Sequence, residues 1–203
     1  HGHHRRQRQM CIRDRHGEAA KSWEVDRDPE LSLRGREQAQ NISDILAQED
    51  LNDFQIISSP LRRAIETAEP ISKKLNKEVE INESFIEIPS PGIDMSERPS
   101  WLREMFSKDV DQFEKPQADW RDKIINVTHS FKSPTLIFSH FMVINVLVGY
   151  LQKSKKIVTF YPDNCSVTKM SLNQGMLSLE EIGSSQESVC LLYTSPSPRD
   201  SMT

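Results

Sequence analysis

The chain is poor in cysteine, with only Cys11, Cys165 and Cys190 among its 203 residues. An odd number of cysteines without CxxC or metal-ligand spacing argues against both a disulfide framework and a zinc site. We therefore expect a protein of a reducing compartment, the cytoplasm, with no bound metal and no cofactor.

A strong excess of charge of either sign is also missing. The formal net charge is -4, and 28% of the residues are charged. No global basic field is present to attract nucleic acid, and the acidity is too mild for a solvating tail. The composition therefore favours a small-molecule partner over a nucleic acid.

No long uninterrupted apolar run occurs. The most apolar stretch, residues 135–151, contains Ser139, His140 and Asn145 and only just reaches the length of a membrane span. A buried strand followed by a buried helix explains it better, so we expect no membrane partner. The basic residues near the start precede no apolar segment of the signal-peptide type, so secretion is not indicated.

The two ends of the chain differ in character from the rest. QRQMCIRDR near the start and VCLLYTSPSPRDS near the end resemble translated adapter sequence more than evolved protein. We therefore predict that residues 1–14 and 188–203 are non-native or disordered, and that one domain spans residues 15–187. The charges of Arg13 and Asp14 are poor material for a buried strand.

The middle of the chain alternates between strand and helix patterns. Ser32 is predicted to cap a first helix, and Ser59 a second helix that begins at Pro60. A long helix is predicted over residues 100–131, and a hairpin turn at residues 173–175. This alternation predicts an α/β fold, a three-layer sandwich with a mostly parallel central sheet flanked by helices.

Three stretches place reactive or anion-binding residues just after predicted strands. They are Arg15 with His16, residues 58–63, and Ser139 with His140. Ligands of such sheets bind at the carboxyl ends of the strands. The three stretches therefore predict one anion-binding site at that edge.

The same stretches carry a family resemblance. RHGEA at residues 15–19, SSPLRRAIETA at residues 58–68 and LIFSH at residues 136–140 resemble, in this order and spacing, the histidine phosphatase superfamily, also called phosphoglycerate mutase-like. Each motif alone is weak, but the three together are highly specific. The resemblance covers about residues 15–182.

The resemblance implies a role for each motif residue. His16 would attack phosphorus and carry the phosphoryl group as phosphohistidine. Arg15 and Arg63 would bind the phosphoryl oxygens, which suits their planar, charged forks. His140 would donate to the same oxygens in the transition state.

A general acid is also implied, on the segment after the third strand. Glu87 and Glu83 are both candidates, and the spacing of the family motif favours Glu87. Ser59 and Asn164 are predicted to contribute to substrate binding, although Asn164 is explained equally well as a turn residue.

The short core favours the compact phosphatases of the family over its mutases, which carry longer insertions. The expected partner is then a small phosphorylated substrate or a phosphoprotein, hydrolysed without a metal ion. Two alternatives stay open, a mutase-type phosphoryl transferase and a catalytically inactive module that binds phospho-ligands.

Overall fold

The computed structural model describes residues 15–22 and 25–184, and residues 8–13 as backbone only. It contains one six-stranded sheet with the strand order β3-β2-β4-β1-β5-β6. The strands are β1 (Arg8–Arg13), β2 (Gln55–Ser58), β3 (Val79–Ile81), β4 (Thr135–Phe138), β5 (Val167–Asn173) and β6 (Met176–Glu181). The helices are α1 (Leu33–Leu46), α2 (Arg62–Leu75), α3 (Arg98–Ser107), α4 (Lys115–Ser130) and α5 (Phe141–Leu151), with 3₁₀ turns at Glu83–Phe85 and Val110–Gln112.

The sheet is mostly parallel. Strands β3, β2, β4 and β1 run in one direction, while β5 pairs antiparallel with both β1 and β6. The predicted hairpin joins β5 to β6, and both of its turn residues, Gln174 and Gly175, have positive φ angles of 51° and 82°. Such angles are typical of the tight turn that matches strand twist.

Helices cover both faces of the sheet. Neighbouring residues of a strand point to opposite faces. Accordingly, Ile56 and Leu136 pack in a cluster with side chains of α1 and α2, whereas Ile57 and Ile137 pack with side chains of α3, α4 and α5. The predicted three-layer α/β sandwich is confirmed.

Strand β1 lies in the middle of the sheet. Its backbone pairs with β4 on one side and with β5 on the other, so Met10 lies opposite both Thr135 and Met170. Residues 8–13 are therefore a strand, not a disordered arm. The backbone N–H and C=O groups of a strand can form hydrogen bonds to both neighbouring strands whatever its side chains are. The side-chain composition of residues 8–13 was therefore a poor guide to the strand. Residues 1–7 and 185–203 lie outside the described residues, so the non-native origin of the two ends stays a prediction.

Two helix predictions need correction. Ser32 does cap α1, and its side chain accepts a hydrogen bond from the backbone N–H of Gly35. Helix α2, however, begins at Arg62, because Leu61 is still extended and Pro60 lies outside the helix. The helix predicted over residues 100–131 is two helices, with Pro116 in the first turn of the second. Proline cannot donate a backbone hydrogen bond, so it fits a helix start and not an interior.

Within the part of the chain that is described, no helix combines the length and apolar character that crossing a bilayer requires.

Candidate active site

The three motif stretches meet at one edge of the sheet, as predicted. Strands β1, β4 and β2 are adjacent and parallel, and each is followed by one of the stretches. The rings of His16 and His140 lie edge to face, with centroids 5.4 Å apart. The chain therefore brings together two histidines that are 124 residues apart in sequence, from 16 to 140.

His16 is buried, with both ring nitrogens engaged. Nδ1 lies 2.6 Å from the carbonyl oxygen of Gly17, which can only accept. Nε2 receives a hydrogen bond of 2.9 Å from Nε of Arg63. Nδ1 therefore carries the proton and Nε2 presents a lone pair.

The surroundings keep His16 neutral. Burial, followed by the charges of Arg63 and Arg15, lowers the pKa of His16 well below its ordinary value, although the bond to Gly17 opposes this. A neutral imidazole with its lone pair on Nε2 is the form that can act as a nucleophile.

Arg63 lies deep in the site. It is the second residue of α2, and its side chain is only 1% exposed. Burial lowers its pKa to about 10, against the opposing charges of Glu87 and Asp28, so the guanidinium stays charged at neutral pH. Its predecessor Arg62 has a side chain 53% exposed and pairs with Glu30 and Glu66 at the surface.

His140 is fully buried at the end of β4. Its Nε2 lies 2.7 Å from Oγ of Ser59, while its Nδ1 has no hydrogen-bond partner among the described residues. Burial, and then the charges of Arg63, His16 and Arg98, lower its pKa well below the ordinary value. Ser59 thus contacts the site through His140. Its hydroxyl oxygen also accepts a hydrogen bond from the backbone N–H of Leu61 (3.3 Å), but Leu61 is the N-cap residue of α2, so the predicted cap by Ser59 is wrong.

The two candidate acids lie in different environments. Glu83 is exposed in a 3₁₀ turn, whereas Glu87 is buried. One oxygen of Glu87, Oε1, accepts backbone hydrogen bonds from Ile88 (2.9 Å) and Met142 (3.3 Å). Burial raises the pKa of Glu87, and the opposing effects of these bonds and of Arg98 and Arg63 are smaller. The geometry favours Glu87 as the acid.

The segment that carries Glu87 is held from α4. The indole Nε1 of Trp120 donates to the carbonyl of Ile86 (2.9 Å), and the amide of Gln117 donates to that of Pro89 (2.8 Å). These bonds lie on both sides of Glu87, so they fix the backbone that carries its carboxyl group.

Arg15 lies next to the turn that contains Asn164. Arg15 is half-buried, and its charge lowers the pKa values of both His16 and Arg63. Its carbonyl accepts a hydrogen bond of 2.9 Å from the backbone N–H of Cys165, next to Asn164. The side-chain oxygen of Asn164 is buried and has no hydrogen-bond partner within the described ranges. The turn therefore lies beside Arg15.

Two residues of the neighbourhood were missed from the sequence. Arg98, the first residue of α3, donates to Oγ of Ser90 (3.0 Å) and to the carbonyl of Ile88 (3.1 Å), and its charge lowers the pKa of Glu87. Asp28 lies 3.8 Å from NH1 of Arg63. Neither belongs to the three motifs, and the only sequence signal for Arg98 was its place at the end of the loop after Glu87.

The glycine of RHG has a packing reason. A Cβ atom on Gly17 would lie 2.5 Å from the carbonyl oxygen of Gly35, which is impossible without a backbone shift. The N–H of Gly17 donates to Oγ1 of Thr67 (3.1 Å), which itself donates to the carbonyl of Arg63 (2.6 Å). Gly17 therefore packs against Gly35 of α1 and is hydrogen-bonded to Thr67 of α2, and both contacts position the segment that carries His16.

Comparison with known protein families identifies the family of the chain. A family model described as "Histidine phosphatase superfamily (branch 1)" matches residues 14–185. The chain belongs to this superfamily. No curated protein sequence gives a significant match.

Several solved structures share the fold of the chain. Phosphoserine phosphatase from Entamoeba histolytica, solved with 3-phosphoglyceric acid, is 22% identical with a TM-score of 0.66, and the match covers 88% of this chain and 98% of that one. A mycobacterial glucosyl-3-phosphoglycerate phosphatase is 20% identical with a TM-score of 0.67, covering 88% and 100%. YhfR of Bacillus stearothermophilus is 20% identical with a TM-score of 0.68, covering 85% and 95%. The predicted family and fold are confirmed.

Proposed function

We propose that the protein is a cytoplasmic, metal-independent phosphatase that hydrolyses a phosphomonoester through a phosphohistidine on His16. The observation that carries the proposal is the environment of His16 Nε2. This nitrogen is unprotonated, faces Nε of Arg63 at 2.9 Å and lies near the ring of His140. A nucleophile between cationic and hydrogen-bonding groups suits attack on a phosphoryl group.

In the first step, Nε2 of His16 forms a bond to phosphorus while the bond from phosphorus to the ester oxygen breaks. The leaving oxygen takes a proton from Glu87, whose raised pKa keeps it protonated further toward neutral pH than an ordinary glutamate. Arg15, Arg63 and His140 stabilise the charge on the phosphoryl oxygens. The hydrogen bond from Nε of Arg63 to Nε2 breaks as Nε2 bonds to phosphorus, and the same N–H then donates to a phosphoryl oxygen without rotation of the guanidinium.

In the second step, Glu87 acts as the base. Its carboxylate removes a proton from water, the water oxygen attacks phosphorus, and the bond to His16 breaks. Inorganic phosphate is released, and both His16 and Glu87 return to their starting protonation states. Asn164 and Ser59 complete the lining, Ser59 through its contact with His140.

A small phosphorylated molecule is the proposed substrate class, and a protein phosphohistidine is the alternative. Two proteins that share the fold are named for a phosphorylated small molecule, phosphoserine and glucosyl-3-phosphoglycerate. Hydrolysis is preferred over mutase-type transfer because the domain is compact.

Rapid quenching during turnover of a radiolabelled aryl phosphate tests the proposal. We expect release of inorganic phosphate together with a trapped phosphoenzyme that is labile in acid and stable in alkali, as a phosphoramidate is. Transfer of the label to an alcohol acceptor instead of water would indicate the mutase. Binding of phosphate with neither product nor phosphoenzyme would indicate the inactive module and overturn the proposal.

Replacing Glu87 with glutamine tests the acid. Glu87→Gln is expected to slow hydrolysis of an alkyl phosphate by ~10²-fold or more, and that of an aryl phosphate much less, because an aryl oxide leaves without a proton. Single-turnover rates on the two substrates measure the difference. Glu83→Gln is the matched control, since Glu83 is exposed in the same segment. Equal slowing of both substrates by Glu87→Gln would exclude Glu87 as the acid.

The pH dependence of kcat/KM follows from the directions of the pKa shifts. His16 must be unprotonated, and its lowered pKa places the acidic limb below its ordinary value of 6.5. Glu87 must be protonated, and its raised pKa places the basic limb above 4.5. We expect a bell-shaped profile whose basic limb disappears in Glu87→Gln, measured with a substrate whose own ionisation is corrected for. A basic limb unchanged in that variant would contradict the assignment.

A further inference from the structure

The segment that joins β1 to α1 places an acidic residue against the phosphate-binding arginine. Oδ1 of Asp28 accepts a hydrogen bond of 2.8 Å from the backbone N–H of Arg62, the first residue of α2. The same oxygen lies 3.8 Å from NH1 of Arg63. One carboxylate oxygen thus contacts the start of the helix and the guanidinium that the helix carries.

Helix α2 needs such a contact. Its own N-cap residue, Leu61, makes no side-chain cap, so the backbone N–H of Arg62 has no local acceptor of that kind. A carboxylate at this place satisfies the donor and is favoured by the helix dipole. Asp28 therefore supplies, from a segment distant in sequence, the side-chain cap that Leu61 does not make.

The position of Asp28 is itself fixed. Its backbone N–H donates to Oδ1 of Asp26 (3.0 Å). Three residues on, the backbone N–H of Leu31 donates to Oε2 of Glu66 in α2 (2.7 Å), and the backbone N–H of Ser32 donates to the carbonyl oxygen of Glu18 (2.8 Å). These bonds fasten the segment, so the carboxylate is presented from a constrained backbone.

Arg63 is held at two ends as a result. Its Nε donates to Nε2 of His16, and its NH1 faces Asp28. The hydrogen bond at Nε and the longer ion pair at NH1 both favour this orientation of the guanidinium plane.

We propose that Asp28 is a positioning residue, which holds Arg63 in the orientation that the phosphoryl transition state requires. The inference rests on the proposed function. The side chain of Asp28 is 36% exposed, so it contacts Arg63 from the rim of the site and leaves the inner side of the guanidinium to the phosphoryl group.

The substitution Asp28→Asn distinguishes a role in orienting Arg63 from a role in holding the start of α2. Asparagine keeps an acceptor for the N–H of Arg62 but removes the charge that attracts NH1. We expect kcat to fall by ~10-fold or more with KM unchanged or lower, because transition-state binding depends on orientation whereas an added net positive charge favours the anionic ground state. Affinity for inorganic phosphate, measured by calorimetry, should not weaken.

Glu30→Gln is the matched control, since it removes the same charge from the same segment but does not contact Arg63. Its ion pairs are exposed and contribute little to stability, so its kcat should equal that of the wild type. A kcat of Asp28→Asn equal to that of Glu30→Gln would overturn the proposal, as would a rise in KM alone. Melting temperatures of the two variants should agree, whereas Asp28→Ala, which also loses the helix contact, should melt lower.

A readout without turnover distinguishes this proposal from failure of the proposed function. The Nε–H of Arg63, which donates to His16, should give a protected NMR resonance in the wild type and in Glu30→Gln. In Asp28→Asn we expect that resonance to shift and exchange faster with solvent. An unchanged resonance would overturn the role of Asp28 even if the protein proved to have no phosphatase activity.

Discussion

Replacing His16 with alanine is expected to abolish the trapped phosphoenzyme and to reduce turnover by at least ~10³-fold, because it removes the nitrogen that we propose attacks phosphorus. Alanine removes both ring contacts, to Gly17 and to Arg63, but leaves the cationic side chains that bind phosphate. Binding of inorganic phosphate should therefore persist while covalent labelling is lost. Quenched-flow labelling and calorimetry measure the two quantities on the same preparation.

His129→Ala is the matched control. His129 lies at the end of α4, where its Nδ1 is 3.1 Å from the carbonyl oxygen of Gly175 and its ring contacts Tyr150, away from the site. Its replacement should leave labelling unchanged.

Ser58 and Ser59 are the rival nucleophiles of the His16 experiment. Ser58 donates its hydroxyl to the carbonyl of Ser59, and Ser59 contacts His140. A serine phosphoester would be stable in acid and labile in alkali. Labelling of that kind that survives in His16→Ala would contradict the histidine nucleophile.

The residues that sequence reasoning found are those whose positions follow from local rules. Arg15, His16 and His140 follow strands, and parallel strands bring their carboxyl ends to one edge whatever lies between them. Arg63 lies in the first turn of α2 with its side chain buried, whereas the side chain of Arg62 is exposed. Position at the strand ends predicted that these stretches meet at one edge, and the family resemblance singled out Arg63 as the functional arginine.

The residues that were missed or misread depend on contacts between distant segments. Asp28 reaches α2 from 34 positions earlier in sequence, and Arg98 reaches the carbonyl of Ile88 from the start of another helix. The hydroxyl oxygen of Ser59 accepts a local hydrogen bond from the backbone N–H of Leu61 (3.3 Å) and also lies 2.7 Å from Nε2 of His140, 81 positions later. A local pattern can indicate the first partner but not the second.

Strand β1 shows the same limit for the fold. Its charged and polar residues argued against a central strand, but the two neighbouring strands supply ladder partners along its whole length. Tertiary pairing therefore overrode local preference, as is general for strands.

Replacement of Arg63 is expected to have the second large effect, and two variants separate its geometry from its charge. Arg63→Lys keeps a positive charge but loses the planar set of guanidinium donors. Arg63→Met keeps most of the length of the side chain but loses both the charge and the donors. Each should lower kcat/KM by ~10²-fold or more, because removing one preorganised donor from a transition state costs that much. Arg62→Lys and Arg62→Met are the matched controls, because Arg62 is the adjacent arginine and lies at the surface.

The pH profile should then distinguish the two Arg63 variants. The charge of Arg63 lowers the pKa values of both His16 and Glu87. In Arg63→Met that charge is gone, so both pKa values should rise and both limbs of the kcat/KM profile should move to higher pH. In Arg63→Lys the charge remains, and the limbs should stay close to those of the wild type although the rate is lost. Limbs that move equally in both variants, or in neither, would contradict the placement of Arg63 near both the nucleophile and the acid, because its charge lowers the pKa of each group and cannot be removed without raising both pKa values.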